Sequence, residues 1–259
     1  MIQVEAEGAP ACSLLLFENC PFLHIQEIIM VTEKAFLNVS DGTTMAAYVA
    51  RPDPEKNHPG ILVFQEAFGV NGHIRNVAER FAREGLVAIA PELFHRTAPG
   101  FEGNYADFET VRPHVGALKN ESISADILAS YDWLSKNSNG SIVSIGFCMG
   151  GRVSFLANAT VALKAAVSFY GGGIAGLLDR VPSLSAPMMM FWGGLDKHIK
   201  PEDTRKIADA LKGSGKEYVT IEFSHADHGY FCDARASYNR NAALQSWGLV
   251  LDFYKSHLT

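Results

Sequence analysis

Cysteine is scarce in this chain and is not arranged in pairs. Its 259 residues contain four cysteines, and no CxxC motif occurs among Cys12, Cys20, Cys148 and Cys232. Disulfide-held domains and zinc fingers need denser or regularly spaced cysteines. The composition therefore excludes a disulfide scaffold and is typical of a reducing cytoplasm, where we expect this protein to act.

Positive charge and long apolar runs are also lacking. Asp and Glu number 28 against 22 Lys and Arg, which gives a net charge of −6. This balance disfavours nucleic acid or an anionic membrane as the main partner. No apolar run is long enough to span a membrane, and the absence of Lys and Arg before Lys34 removes the cationic start that a signal peptide needs. A small molecule is the expected partner.

The chain does have enough apolar material for one large core. Hydrophobic residues make up 47% of the sequence, and its length fits a single α/β domain. We place this domain at residues 30–259. Residues 1–29 precede the first strand signal and are interpreted as an N-terminal extension, with Met30 as an alternative start that N-terminal sequencing of the native protein would test.

Short apolar or β-branched runs alternate with segments of helical period. The predicted strands are Ala35–Val39, Met45–Ala50, Gly60–Phe64, Leu86–Ala90, Ile142–Ile145, Ala165–Phe169, Met188–Trp192 and Tyr218–Phe223. The predicted helices run from Asn71 or Gly72 to Gly85 and over Asp107–Leu118, Ser122–Lys136, Arg152–Asn158, Asp203–Leu211 and Ala242–Ser256. This alternation predicts an α/β fold with a mainly parallel central sheet covered by helices on both faces.

Three local features refine this prediction. The first two strands form a hairpin around Asp41 and Gly42, a turn dipeptide. Ser122 or Ser124 is expected to cap the third helix. The last helix is expected to bury one apolar face, which consists of Leu244, Trp247, Leu251 and Tyr254.

The most informative motif is Gly146-Phe147-Cys148-Met149-Gly150-Gly151, directly after a β-branched run. A thiol at the apex of a strand, turn and helix resembles the nucleophile elbow of α/β-hydrolases, with cysteine in place of serine. Glycine at 146 and 150 removes Cβ atoms that would collide across such a turn. The dipole of the following helix favours a thiolate at Cys148. The alternative is a structural cysteine buried beside packing glycines.

An acid and a base follow later strands, in the chain order typical of α/β-hydrolases. Asp196 lies in the loop after Met188–Trp192, and His228 lies in the loop after Tyr218–Phe223. We predict that His228 pairs with Cys148 and that Asp196 orients the imidazole. Asp227 is the alternative acid, although an adjacent residue seldom aims at its neighbour's ring.

A metal site is not expected among these residues. His225, Asp227 and His228 lie close together in the sequence, but no third ligand follows at helical spacing. His198 is interpreted as an exposed loop histidine. We therefore expect hydrolysis that requires no metal and no cofactor.

Together, these residues resemble the dienelactone hydrolase family. The segment Gln65-Glu66-Ala67-Phe68-Gly69-Val70-Asn71 follows the GILVF strand, and the elbow at Cys148, Asp196 and His228 complete the pattern. The resemblance covers residues 35–258. It implies an α/β-hydrolase fold. The pairing of a Gln-Glu-x-x-Gly segment with a Gly-x-Cys-x-Gly-Gly elbow distinguishes the family from serine esterases.

The resemblance also implies roles for residues outside the triad. Glu66 would lie near the thiol and control its ionisation as substrate enters, and the backbone N–H groups of Ala67 and Met149 would form the oxyanion hole. Arg96 would pair with carboxylates near the site, and Tyr170 would line the pocket. The alternatives are a Glu66 that is simply paired with an arginine, a surface Arg96 and a core Tyr170.

One position departs from the family pattern. In dienelactone hydrolases proper, an arginine four positions after the histidine binds the substrate carboxylate. This chain has Cys232 there, and the nearest arginine is Arg235. The loss of a charge-assisted contact of about 1.5–3 kcal/mol leaves room for a neutral ester as substrate.

The sequence therefore predicts a hydrolase of carboxylic esters or lactones that forms an acyl-thiol intermediate on Cys148. Three alternatives remain open. The same thiolate and oxyanion hole suit phosphotriester hydrolysis. A thiol of low pKa also suits a redox sensor without enzymatic activity. The third is a catalytically dead hydrolase fold that binds a partner.

Overall fold

A mixed sheet of eight strands organises the chain in the computed structural model, which describes residues 30–52 and 57–258. The strands are β1 (Met30–Asn38), β2 (Thr44–Pro52), β3 (Gly60–Phe64), β4 (Val87–Pro91), β5 (Ile142–Phe147), β6 (Ala166–Phe169), β7 (Met188–Gly193) and β8 (Tyr218–Phe223). The predicted N-terminal extension, residues 1–29, lies outside the described residues.

The strand order is β1-β2-β4-β3-β5-β6-β7-β8. The β1–β2 and β2–β4 pairs are antiparallel, and every later pair is parallel. In the predicted hairpin, Thr43 donates from its backbone N–H and its hydroxyl to Asp41 Oδ1, over 3.0 and 2.6 Å. The predicted α/β-hydrolase fold with a mainly parallel sheet is confirmed.

Helices cover both faces of the sheet. They are α1 (Gly72–Arg83), α2 (Arg112–Ala117), α3 (Asn120–Asn137), α4 (Met149–Thr160), α5 (Pro201–Gly213) and α6 (Arg240–His257), with a 3₁₀ segment at Ile174–Ser183. One core cluster joins α1 and α6 to one face, and two others join α3, α4, α5 and the 3₁₀ segment to the opposite face. No helix within residues 30–52 and 57–258 is long and apolar enough to cross a membrane.

The strand side chains alternate between these two faces. In β3, Ile61 and Val63 belong to the cluster with α1 and α6, whereas Leu62 and Phe64 belong to the cluster with α3 and α4. All five residues of β3 are buried. A continuously apolar strand is expected where helices exclude water from both sides of a parallel sheet.

Helices near the site differ from the prediction at their ends. The helix expected over Asp107–Leu118 shortens to α2 because Asp107 Oδ1 accepts the backbone N–H of Glu109 over 3.1 Å, which holds a turn instead. Helix α3 begins before the predicted caps. Ser122 lies at its third position, and its hydroxyl accepts the N–H of Lys119 over 3.2 Å.

The predicted buried face of the last helix is wrong in part. Leu244 is 54% exposed, whereas Tyr254 is buried as expected. Two buried hydroxyls fix the rotation of α6: Tyr254 donates to the carbonyl of Ser144 over 2.7 Å, and Ser246 lies 2.9 Å from the hydroxyl of Tyr230. These polar contacts turn Leu244 outwards.

The topology brings four loops to one edge of the sheet. Strands β3, β5, β7 and β8 run parallel within one continuous set. Their carboxyl ends therefore meet at the same edge, and Glu66, Cys148, Asp196 and His228 each follow one of them. The candidate site lies there.

Candidate active site

Cys148 occupies a strained turn between β5 and α4. Its φ is 54° and its ψ is −118°, a region that non-glycine residues rarely adopt. A Cβ on Gly146 would lie 1.8 Å from the carbonyl oxygen of Gly150, and a Cβ on Gly150 would lie 2.3 Å from that of Phe64. Only glycine permits these close approaches, as the sequence predicted. The Cys148 N–H donates to the carbonyl of Phe169 over 3.0 Å, which fixes the apex.

The imidazole of His228 is oriented by Asp196. His228 Nδ1 lies 2.7 Å from Asp196 Oδ2. The other oxygen of Asp196 accepts the backbone N–H groups of His198 and Ile199 over 2.7 and 3.2 Å, so the carboxylate is fixed in its loop. Asp227, the alternative acid, instead accepts the backbone N–H of His228 over 2.6 Å.

The electrostatics favour a charged imidazole. Burial opposes the charged form of His228, but hydrogen bonds and negative charge from Asp196 and Cys148 outweigh it and raise the pKa of His228 to about 10. For Asp196, burial alone would raise the pKa, yet the hydrogen bond and charge of His228 bring that pKa below its usual range. The site is therefore built to hold a proton on His228 next to the thiol.

Glu66 is paired with Arg235. The Glu66 side chain is fully buried, and its Oε1 accepts a hydrogen bond from Arg235 Nη1 over 3.0 Å. The Arg235 guanidinium also lies over the rings of Phe68 and Tyr105, at 5.8 and 5.7 Å from their centroids. Glu66 is therefore paired with an arginine, which was the alternative to a role at the thiol. That arginine, Arg235, itself lines the cavity beside Cys148.

Arg235 is a site residue that sequence reasoning did not place. Successive turns bring it back toward His228: the N–H of Cys232 donates to the carbonyl of Gly229, and the N–H of Arg235 donates to that of Cys232. A Cβ on Gly229 would lie 2.4 Å from the guanidinium carbon of Arg235. Arg235 therefore lines the cavity beside Cys148, although position 232 carries no arginine. The signal that could have found it is the glycine at 229.

Arg96 pairs with carboxylates, as the family resemblance implies, but neither Arg96 nor Tyr170 lines the cavity beside Cys148. Arg96 binds Asp41 Oδ2 over 2.7 Å and both oxygens of the buried Asp126 over 2.8 and 2.9 Å, and it does not line the cavity beside Cys148. Arg96 neutralises the buried carboxylate of Asp126.

Tyr170 is fully buried, and its ring centroid lies 5.0 Å from that of His228. It supports the imidazole from behind and does not line the cavity.

A cavity of about 580 Å³ opens above the thiol. This volume lies in the range of small-molecule sites. Its walls are mainly apolar, with a few polar groups near the sulfur. The lining residues include Ala67, Phe68, Tyr105, Phe108, Val115, Leu118, Cys148, Met149, Arg152, His198, His228 and Arg235. Ala67 and Met149, whose N–H groups are predicted to form the oxyanion hole, both line this cavity. Met149 is the first residue of α4, where the N–H has no acceptor within the helix.

Arg152 is a second cation in this cavity that the sequence did not identify. It lies one helical turn after Cys148 on α4, half-buried, and its guanidinium donates to Asn120 Oδ1. Burial lowers the pKa of Arg152, and no carboxylate among residues 30–52 and 57–258 forms an ion pair with it. Its spacing from Cys148 was the available signal.

Comparisons with known proteins agree with this geometry. A sequence model described as the dienelactone hydrolase family matches residues 45–258. A protein of Synechocystis sp. that is provisionally named carboxymethylenebutenolidase is 36% identical over 231 residues, which cover 83% of this chain and 92% of that protein. The carboxymethylenebutenolidase of Pseudomonas putida is 29% identical over 230 residues, which cover 86% of this chain and 96% of that protein.

A solved structure has the same fold. The crystal structure of a provisionally assigned dienelactone hydrolase from Klebsiella pneumoniae superimposes with a TM-score of 0.81 at 30% identity. The superposition covers 88% of this chain and 99% of that one.

Proposed function

Because the chain belongs to the dienelactone hydrolase family, we propose that this hydrolase cleaves carboxylic esters or lactones with Cys148 as its nucleophile. His228 acts as the general acid and base, and Asp196 orients it. The contact that carries the proposal is the one of 2.7 Å between His228 Nδ1 and Asp196 Oδ2, at the edge of a cavity that also exposes Cys148.

The reaction proceeds in two steps. Cys148 Sγ attacks the substrate carbonyl while the N–H groups of Ala67 and Met149 donate to the developing oxyanion. His228 gives its proton to the leaving oxygen, and an acyl-thiol forms. His228, now neutral, then accepts a proton from water, which attacks the acyl-thiol. The carbon–sulfur bond breaks, its electron pair returns to Cys148 Sγ, and the acid is released. No metal is required in either step.

The charged groups of the cavity favour a substrate with its own carboxylate. Within the described residues, Arg152 has no carboxylate partner, and Arg235 forms an ion pair with Glu66. A substrate carboxylate that binds Arg235 would compete with Glu66 for the guanidinium. Glu66 would then respond to substrate entry, which is the role that the family resemblance implies for it. This position of Arg235 restores the cation that the sequence at position 232 lacks.

The experiment compares wild type with Cys148→Ala on p-nitrophenyl acetate and on a carboxylate-bearing lactone. We expect the variant to lose turnover of both substrates while its circular dichroism stays native. The matched control is Cys232→Ser, which replaces the other described thiol and should retain turnover. Undiminished turnover by Cys148→Ala would overturn the nucleophile assignment.

The same proteins separate the remaining functions. A paraoxon-like phosphotriester should release no more than one equivalent of p-nitrophenolate per enzyme if carboxylic esters are the substrates. A redox sensor without enzymatic activity would instead have a peroxide-sensitive Cys148 and no ester turnover. A catalytically dead fold would have neither a peroxide-sensitive Cys148 nor ester turnover.

A further inference from the structure

Glu66, His73 and Cys232 form a second polar cluster behind the cavity wall, and none of the three lines the cavity. They come from the loop after β3, the helix α1 and the loop after β8. One ligand atom from each lies within 4.8 Å of the other two. A carboxylate, an imidazole and a thiol therefore face one another in a part of the molecule that the proposed reaction does not use directly.

Two atoms of this cluster are buried without a hydrogen-bond partner among the described residues. They are Glu66 Oε2 and His73 Nε2. Arg235 engages only the other oxygen of Glu66. An unsatisfied buried polar atom costs about 1–3 kcal/mol, so two of them in one cluster need a physical explanation. A ligand that accepts electron pairs from both atoms provides one.

The position of His73 fits a metal ligand. Its Nδ1 lies 3.8 Å from Asp233 Oδ1, which leaves Nε2 as the buried, unpartnered nitrogen. A carboxylate behind a ligating histidine is the usual outer contact at metal sites. Asp233 is 75% exposed, and a small cavity of about 60 Å³ is lined by His73, Asp233 and Arg80. Burial lowers the pKa of His73.

We propose that Glu66, His73 and Cys232 bind a borderline divalent transition metal such as Zn²⁺, and that this binding inhibits the hydrolase. Thiolate and imidazole ligands favour Zn²⁺ over Mg²⁺ and Ca²⁺, which prefer oxygen. Bond lengths of about 2.0–2.3 Å require the ligand atoms, which lie within 4.8 Å of one another, to approach by at most about 1 Å. On binding, the Cys232 thiol releases its proton to solvent, and the metal stays divalent.

The inhibitory part rests on the proposed function. Glu66 holds Arg235, and Arg235 lines the cavity beside His228. A metal on Glu66 withdraws negative charge from the guanidinium and adds a positive charge nearby. The Glu66 carboxylate is then bound to the metal and cannot respond when a substrate carboxylate binds Arg235, so turnover falls.

Metal binding is tested in a protein that cannot turn over substrate. Co²⁺ is titrated into full-length Cys148→Ser protein, and Zn²⁺ is then added as a competitor. The near-ultraviolet absorption that reports a cobalt–thiolate bond is recorded throughout. We expect a saturable band that Zn²⁺ removes. The band should be lost in Cys148→Ser/Cys232→Ser. The affinity for Co²⁺ should be at least tenfold weaker in Cys148→Ser/His73→Gln. Cys12 and Cys20 are present in all three proteins, so their contribution cancels.

Two controls make the outcome decisive. Cys148→Ser/His257→Gln removes a histidine outside the cluster and should bind Co²⁺ like the parent. Native circular dichroism of each variant excludes unfolding as the cause of a lost band. The absence of a band in the parent, or an equal band after loss of Cys232, would overturn the metal site whatever the esterase activity is.

Inhibition is then measured in enzyme that retains Cys148. Zn²⁺ should lower ester turnover of wild type reversibly, with recovery on chelation, and His73→Gln should need at least tenfold more Zn²⁺ for the same loss. Equal inhibition of both proteins would place the inhibitory metal at Cys148 and His228 instead and would overturn this part. Absence of turnover in wild type contradicts the proposed function but leaves the cobalt result intact.

Discussion

Cys148 and His228 depend on different kinds of support. The backbone of Cys148 is held in a strained conformation by the turn around it, whereas the ring of His228 is held by the carboxylate of Asp196. Tyr170 packs behind this ring. Backbone strain at Cys148 and a hydrogen-bonded ring at His228 are the two supports on which the proposed pair of sulfur and imidazole depends.

Asp196→Asn should reduce both the charge and the activity of His228. Without the carboxylate, the pKa of His228 should fall from its value of about 10, because Asp196 is one of the groups that raise it. The kcat should fall by about 10²-fold or more, since the ring loses its correct tautomer. NMR titration of the His228 ring and steady-state kinetics measure the two effects.

Asp227→Asn is the matched control for that substitution. Asp227 accepts the backbone N–H of His228, and an asparagine oxygen can accept the same bond. The pKa of the His228 ring and the kcat should therefore stay close to wild type. A larger effect at position 227 than at 196 would show that the wrong carboxylate has been assigned to the triad.

Arg152→Gln tests the preference for anionic substrates. Arg152 is a half-buried cation that binds the amide oxygen of Asn120. Loss of a charge-assisted contact with a substrate carboxylate, about 1.5–3 kcal/mol, should raise KM for a carboxylate-bearing ester by about tenfold or more. A neutral ester of the same shape should change little. Equal losses for both esters would indicate a structural role for Arg152.

At the scale of elements, the sequence predicts local structure best where steric clashes allow only one arrangement. The elbow at 146–151 follows from glycines whose Cβ atoms would clash, and the buried strands follow from continuous apolar runs. Arg235 was not placed because its position depends on successive turns from Gly229 onward, which no periodicity reveals. The 3₁₀ segment at Ile174–Ser183 was missed for the same reason, since its helical turns are short and contain Pro182.

Gly150→Ala tests the steric account of the elbow. The added Cβ would lie 2.3 Å from the carbonyl oxygen of Phe64, which is backbone and cannot move aside cheaply. The free energy of unfolding should fall by about 3 kcal/mol, and turnover should fall with it because the apex shifts. Chemical denaturation measures the stability change.

Gly248→Ala is the control for a glycine in a helix without this constraint. A Cβ at Gly248, in the middle of α6, meets no heavy atom within 4 Å. Alanine there should raise the free energy of unfolding by about 0.5–1 kcal/mol, because glycine is the poorer helix former. Equal destabilisation by both substitutions would contradict the proposed clash at Gly150.

At the scale of the whole molecule, the sheet order determines which loops can cooperate. Residues 66, 148, 196 and 228 are far apart in the sequence, yet their strands end at one edge of the sheet. That convergence could be predicted from the alternation of strands and helices. The partners of Arg96 could not, because Asp41 and Asp126 become neighbours only when the hairpin and α3 fold against β4 and the loop after it.

The central claim is that Cys148 carries the acyl group during turnover. The most direct measurement is rapid acid quenching of His228→Gln with p-nitrophenyl acetate, followed by peptide mapping, because loss of His228 slows hydrolysis of the acyl-thiol more than its formation by a reactive ester. The account predicts a single acetyl group on the peptide that contains Cys148 and none on the Cys232 peptide. An acetyl group on another residue, or continued turnover without any adduct, would contradict it.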